Sequence, residues 1–191
     1  MKSPLPSLRM LVGLVLLTLV GRPVLAGNNP NSVKTGVSYV WLSDYDSQGI
    51  MFSDQFTHYL RGNKMALGLN VGLLAASRFD EMKQIYAIKN TFYMATLEAS
   101  YDLLNNETIR LRVGAGPSVR HRAEISSSDA DQGTIDGSVK HIKTSEAGFN
   151  VFLANDFGVL RHGVAGARIE YFHYAKGTPI LSLGMHIGFA F

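Results

Sequence analysis

The carboxy-terminal stretch from Ile180 to Phe191 restricts this chain more than any other segment. Leu181, Leu183, Met185, Ile187, Phe189 and Phe191 are apolar at every second position, and Ser182, Gly184, His186, Gly188 and Ala190 between them are small or polar. Successive side chains of a β-strand point to opposite faces, so this strand has one continuous apolar face and one mixed face. It ends on an aromatic residue with no polar tail. Exposed to water, such an edge promotes aggregation. Hydrocarbon on one side and a polar interior on the other satisfy both faces.

This ending resembles the carboxy-terminal signature of bacterial outer-membrane proteins. The resemblance implies that Phe189 and Phe191 form an assembly signal read by the barrel-assembly machinery. The amino terminus reads as an export signal: Lys2 and Arg9, an apolar run from Met10 to Val20, then Val24-Leu25-Ala26 before a cut. Cleavage after Ala26 makes residues 1–26 a signal peptide and residues 27–191 the barrel domain, 165 residues (191 − 26). The apolar run is too short to span a bilayer as a helix, and no later stretch approaches 18 apolar residues. A membrane protein without helical spans must be a closed barrel. Losing Lys2, Arg9 and Arg22 leaves 15 basic against 15 acidic residues, so charge gives no argument for nucleic acid. Cysteine is absent, which excludes disulfides and thiolate metal sites.

Seven further segments carry the same period of two. They run at about 33–42, 51–60, 64–75, 89–103, 108–120, 145–157 and 164–174. The second is the least regular, because Asp54 and His58 share a face with Phe52, Phe56 and Leu60, which suggests a bulge or a later start. Links after strands two, four and six are short; those after one, three and five are longer, the longest from Arg122 to Thr144. The pattern predicts an eight-stranded antiparallel transmembrane β-barrel of up-and-down topology, with both termini in the periplasm. It is similar to the small OmpA/OmpX-like outer-membrane proteins. The rival is a soluble barrel with its apolar face inside.

Charge separates the two. The non-apolar faces carry Lys34, Glu98, Arg110, Arg112, Glu146, Asp156, Arg168 and Glu170, beside many glycines. Eight strands enclose little more than room for side chains. The expected lumen is therefore plugged by an ion-pair network of Glu98, Arg110, Arg112, Glu146, Arg168 and Glu170, with Arg110 and Arg112 facing Glu98. Its bland role is to hold the barrel together; a narrow pore is the alternative.

The six histidines show no metal spacing, and no cofactor motif is present. The segment Tyr171-Phe172-His173-Tyr174-Ala175-Lys176-Gly177 resembles the H-Y-S-N region of PagL-type lipid A deacylases, also eight-stranded barrels. The resemblance would make His173 a general base, but Ala175 stands at the serine position, Lys176 at the asparagine, and no acid follows before Phe191. Without nucleophile and orienting acid the triad logic fails, so no enzyme activity is expected. Arg120, Arg122, Lys140 and Lys143 cluster where strands five and six meet the outer rim, and read either as a clamp for lipopolysaccharide phosphates or as a solvated loop base. The functional expectation is a structural or surface-interaction role, with outer-membrane lipid and lipopolysaccharide as partners.

Overall fold

In a computed structural model the chain closes into a barrel of eight antiparallel strands, each hydrogen-bonded to its neighbours in sequence and the last to the first. The structure describes residues 30–43, 47–60, 64–80, 85–104, 109–127, 139–159 and 162–191; the signal-peptide cut after Ala26 lies outside them. The strands are β1 (Asn31–Leu42), β2 (Ser47–Tyr59), β3 (Met65–Asp80), β4 (Ile85–Asp102), β5 (Ile109–Ser127), β6 (Val139–Val159), β7 (Gly163–Tyr174) and β8 (Ile180–Ala190). The seam joins Ser32 to Ala190 and Leu42 to Ile180. Asn31 and Phe191 extend it by exchanging two backbone hydrogen bonds of 3.0 and 2.9 Å. The terminal phenylalanine thus helps to close the barrel.

The polarity is inverted relative to a soluble barrel. Phe189 is 66% exposed, Ile187 65% and Leu97 61%, whereas Arg112 and Lys34 are 1% exposed and Asn150 is wholly buried. Apolar residues outside and ions inside fit a hydrocarbon surround, and the soluble rival is set aside. The outward residues of β3, β5 and β8 are those that the period of two assigns. Strand β2 departs from expectation. Its pairings with β1 and β3 run without a register break, and it starts at Ser47, so Asp54 and His58 face outward beside Phe52 and Phe56 with no bulge.

Strand lengths divide the barrel into two halves. β1, β2, β7 and β8 have 11 to 13 residues, close to what a tilted strand needs to span a bilayer. β3 to β6 have 16, 18, 19 and 21. All the excess lies at the end distant from the chain termini (the distal end), where β5 and β6 stay paired as far as Ser127 and Val139. The segment expected as a loop from Arg122 to Thr144 is therefore ladder at both ends, residues 122–127 pairing with 139–144. Alternation fades there because strands beyond the bilayer no longer have hydrocarbon on one side.

Close strand contact explains one glycine. Pro117 in β5 has no N–H to give the ladder, and the β4–β5 pairing is interrupted between Thr96 and Ala99. A Cβ on Gly116 would lie 1.7 Å from the Leu97 carbonyl oxygen, so only glycine lets the strands approach there.

Candidate functional site

The lumen is built in storeys. Towards the chain termini (the proximal end), Asp156 of β6 collects three partners from three strands. Lys34 Nζ and Arg112 Nη2 reach its Oδ2 at 2.7 and 2.6 Å, and His186 Nε2 reaches its Oδ1 at 2.6 Å. Arg110 stacks over the Tyr59 ring, 4.2 Å from its centroid. One storey up, the Arg168 guanidinium bridges Glu98 at 2.5 Å and Glu170 at 2.8 Å while lying 3.8 Å over the Phe152 ring. The same two Glu98 oxygens also accept from amides, Oε2 from Gln55 and Oε1 from Asn70 and Asn150.

The expected network changes in several parts. The partner of Glu98 is Arg168, because the register sets Arg112 level with Asp102, four residues along β4 from Glu98. Arg110 pairs with an aromatic face. Glu146 lies far from these groups, near the distal end. The network also includes Lys34, Asp156 and His186, which the six-residue set omits. Inward charges balance among the residues whose side chains are described: Lys34, Arg110, Arg112, Arg120, Arg122 and Arg168 against Glu98, Asp102, Glu124, Glu146, Asp156 and Glu170.

Above the ions the lumen becomes apolar. Val40, Leu42, Met51, Leu74, Ala76, Phe92, Met94, Phe172, Tyr174 and Ile180 form one buried cluster, with Val40, Leu74 and Ile180 at 0% exposure. The alternating pattern contains this layer, since Phe172 and Tyr174 share the parity of Glu170. A hydroxyl chain from Thr96 through Ser118 to Tyr174, with steps of 3.1 and 2.9 Å, runs beside it.

Arg120 caps the layer. Its guanidinium lies 4.0 Å over the Tyr174 ring, pairs with Glu146 at 2.5 Å and donates to the Thr178 carbonyl at 2.8 Å. Gly177, at φ 85°, turns the last link back over this pair. Arg122 pairs with Glu124 and donates to Asn90 Oδ1 at 3.3 Å. The four rim cations are thus not equivalent. Arg120 and Arg122 are spent inside the barrel, Lys143 is exposed, and the side chain of Lys140 lies outside the description.

On the outer surface of the same wall, a groove of about 520 Å³ runs between β4, β5 and β6. Tyr93, Ala95, Val119 and Ala147 give it an apolar lining, and His121 and Ser145, 3.0 Å apart, close its distal end. His173 is elsewhere, on the outward face of β7, exposed and tilted against Phe149 with ring centroids 5.4 Å apart. Ala175, two residues on, has no hydroxyl. Among the described residues, no group of three histidines or acids is placed to hold a metal.

No family model and no curated protein matches the sequence. Solved structures do. Neisserial surface protein A superposes with a TM-score of 0.65 at 13% identity, over 86% of this chain and 99% of that one. The chain has the fold of the small outer-membrane β-barrels. A major outer membrane protein of Thermus thermophilus gives 0.61 at 8% identity, covering 84% of this chain and 99% of that one. Ail, the attachment invasion locus protein of Yersinia pestis, gives 0.54 at 13%, covering 84% and 96%. Ail has also been solved with the heparin analogue sucrose octasulfate, in a structure that superposes at 0.53.

Proposed function

We propose that the chain is an outer-membrane protein whose barrel is an anchor and whose extended β3–β6 wall is an outward contact surface for lipopolysaccharide. The observation that carries this reading is the β5–β6 ladder, which runs about ten residues beyond what a span needs. Ordering backbone is costly, so a wall of this length is a device for presenting something outside the bilayer. The lumen argues against transport. Ion pairs fill its proximal half, and Phe92, Phe172, Leu74 and Ile180 close the rest with no more than 1% exposure each.

Lipopolysaccharide fits the wall at two points. The groove beneath His121 has an apolar lining suited to an acyl chain, and Lys143 lies one step beyond on the outward face of β6, where a phosphate would be. The sulfated ligand seen with Ail has the same polyanionic character. Arg120 and Arg122 contribute only indirectly, by holding the wall's inner face through Glu146 and Glu124.

Reconstituted barrel titrated with lipopolysaccharide tests the reading. Lys143→Gln combined with Tyr93→Ala should weaken binding several-fold and flatten its salt dependence, because exposed charge contacts are screened within about 10 Å at 0.1 M salt. Unchanged affinity at low salt would remove lipopolysaccharide from the account. Arg120 and Arg122 are left intact in this test, since losing either strands a buried carboxylate.

A further inference from the structure

Strand β2 carries a carboxylate on its lipid-facing side. Its outward residues run Ile50, Phe52, Asp54, Phe56, and Asp54 is exposed within that stripe. Among strand residues whose side chains are described, Lys143 is the other charged outward one, and it lies towards the distal end, beyond Phe149. Cross-strand pairing sets Thr35 of β1 on one side of Asp54 and Val71 of β3 on the other. Thr35 is small among larger neighbours and lines a groove of about 350 Å³ together with Val37, Phe52, Met185 and Ile187. The face therefore holds a ridge of Phe52, Asp54 and Phe56 next to a groove whose lining includes a hydroxyl-bearing residue.

A charged side chain facing hydrocarbon is expensive and ordinarily marks a contact. We propose that two copies of this chain associate side by side in the membrane through the β8–β1–β2 face, with Asp54 of each accepting a hydrogen bond from the Thr35 hydroxyl of the other. The occupant is a second copy because one face supplies both halves of the contact. Acceptor and donor stand one strand apart, about 4.8 Å, and ridge and groove stand side by side. That is the self-complementarity a two-fold interface demands. Copies inserted in the same sense are related by an axis along the membrane normal. Passing between β1 and β2 at this row, the axis brings each Asp54 opposite the other copy's Thr35 at nearly equal depth. The ridge of each barrel then fills the groove of the other, and both carboxylates gain a donor.

The absence of cysteine makes the test clean. Leu104→Cys, in the exposed proximal turn, provides one dye site for energy transfer between barrels in bilayers over a range of protein-to-lipid ratios. The unmodified face should give density-dependent transfer. Asp54→Leu and Thr35→Val should each lower the bilayer association constant at least tenfold, while Asp54→Asn, which still accepts a hydrogen bond, should lose less. Leu97→Ala, on β4, should change nothing. Heat-modifiable gel mobility confirms that every variant is folded. A barrel that stays monomeric at all densities would overturn the proposal, even if it bound another envelope protein. Transfer undiminished by Asp54→Leu and Thr35→Val would do the same.

Discussion

Replacing Asp156 with Asn should be among the most damaging single changes in the barrel. The side chain keeps its size, so packing is preserved and the effect isolates charge. Asp156 joins Lys34 at 2.7 Å, Arg112 at 2.6 Å and His186 at 2.6 Å, and both cations are 1% exposed. Removing one partner of a buried ion pair costs about 3–5 kcal/mol, because the other charge stays buried without compensation. Here two cations are stranded together and also repel each other. Two effects offset this. The asparagine carbonyl still accepts one hydrogen bond, and Arg112 is paired in register with Asp102, towards which it can turn. The balance is a loss of about 3 kcal/mol. Urea unfolding from lipid vesicles, followed by the fluorescence of Trp41, the sole tryptophan, measures it. Adding Lys34→Met should recover part of the loss, with a coupling of roughly 1–3 kcal/mol. A loss below about 1 kcal/mol for Asp156→Asn, or strict additivity with Lys34→Met, would refute the reading of Asp156 as the hub of the proximal lumen.

Other expectations follow from the same geometry. Leu97→Arg places a cation on the lipid face and should cost on the order of 2 kcal/mol in refolding titrations; a neutral result would mean that β4 faces the other way. Gly116→Val should block refolding, because its Cβ has no space against the Leu97 carbonyl, whereas Gly72→Ala, whose nearest neighbour would be 3.5 Å away, should be tolerated. Equal refolding yields from the two would show that the β4–β5 approach is wider than described. Phe191→Asp should reduce insertion in cells, and the yield of folded barrel in the membrane fraction checks it; wild-type yield would separate the terminal residue from assembly.

The membrane wrote most of this fold into the sequence. Hydrocarbon outside and a packed lumen inside impose a period of two, and residues such as Leu67, Val113 and Met185 display it. That signal stops where hydrocarbon stops. Arg120-His121-Arg122 and Lys140-His141-Ile142-Lys143 are ladder, yet they read as loop base because polar residues stand on both of their faces. Parity also gives side without height. It placed Glu98, Arg112 and Arg168 inside, but strand register decides which of them meet, and register is not legible one strand at a time. The apolar storey was overlooked for a related reason. Phe172 and Tyr174 sit on the same face as Glu170, and parity does not separate the ions of that face from its aromatic rings. Asp54 shows the reverse error: a charge on the apolar face suggested a bulge, where the strand is regular and the charge is outside.

Membrane-impermeant maleimide labelling of single cysteines in intact cells tests the orientation and polarity of the barrel most directly. The natural chain contributes no background, since it has no cysteine. Lys143→Cys, on the distal wall, should label in intact cells. Leu104→Cys, in the proximal turn, should label only after the outer membrane is permeabilised. Leu97→Cys, facing lipid, should resist the aqueous reagent in both states. Labelling of Leu104→Cys but not Lys143→Cys in intact cells would invert the barrel, and ready labelling of Leu97→Cys would contradict a hydrocarbon-facing wall.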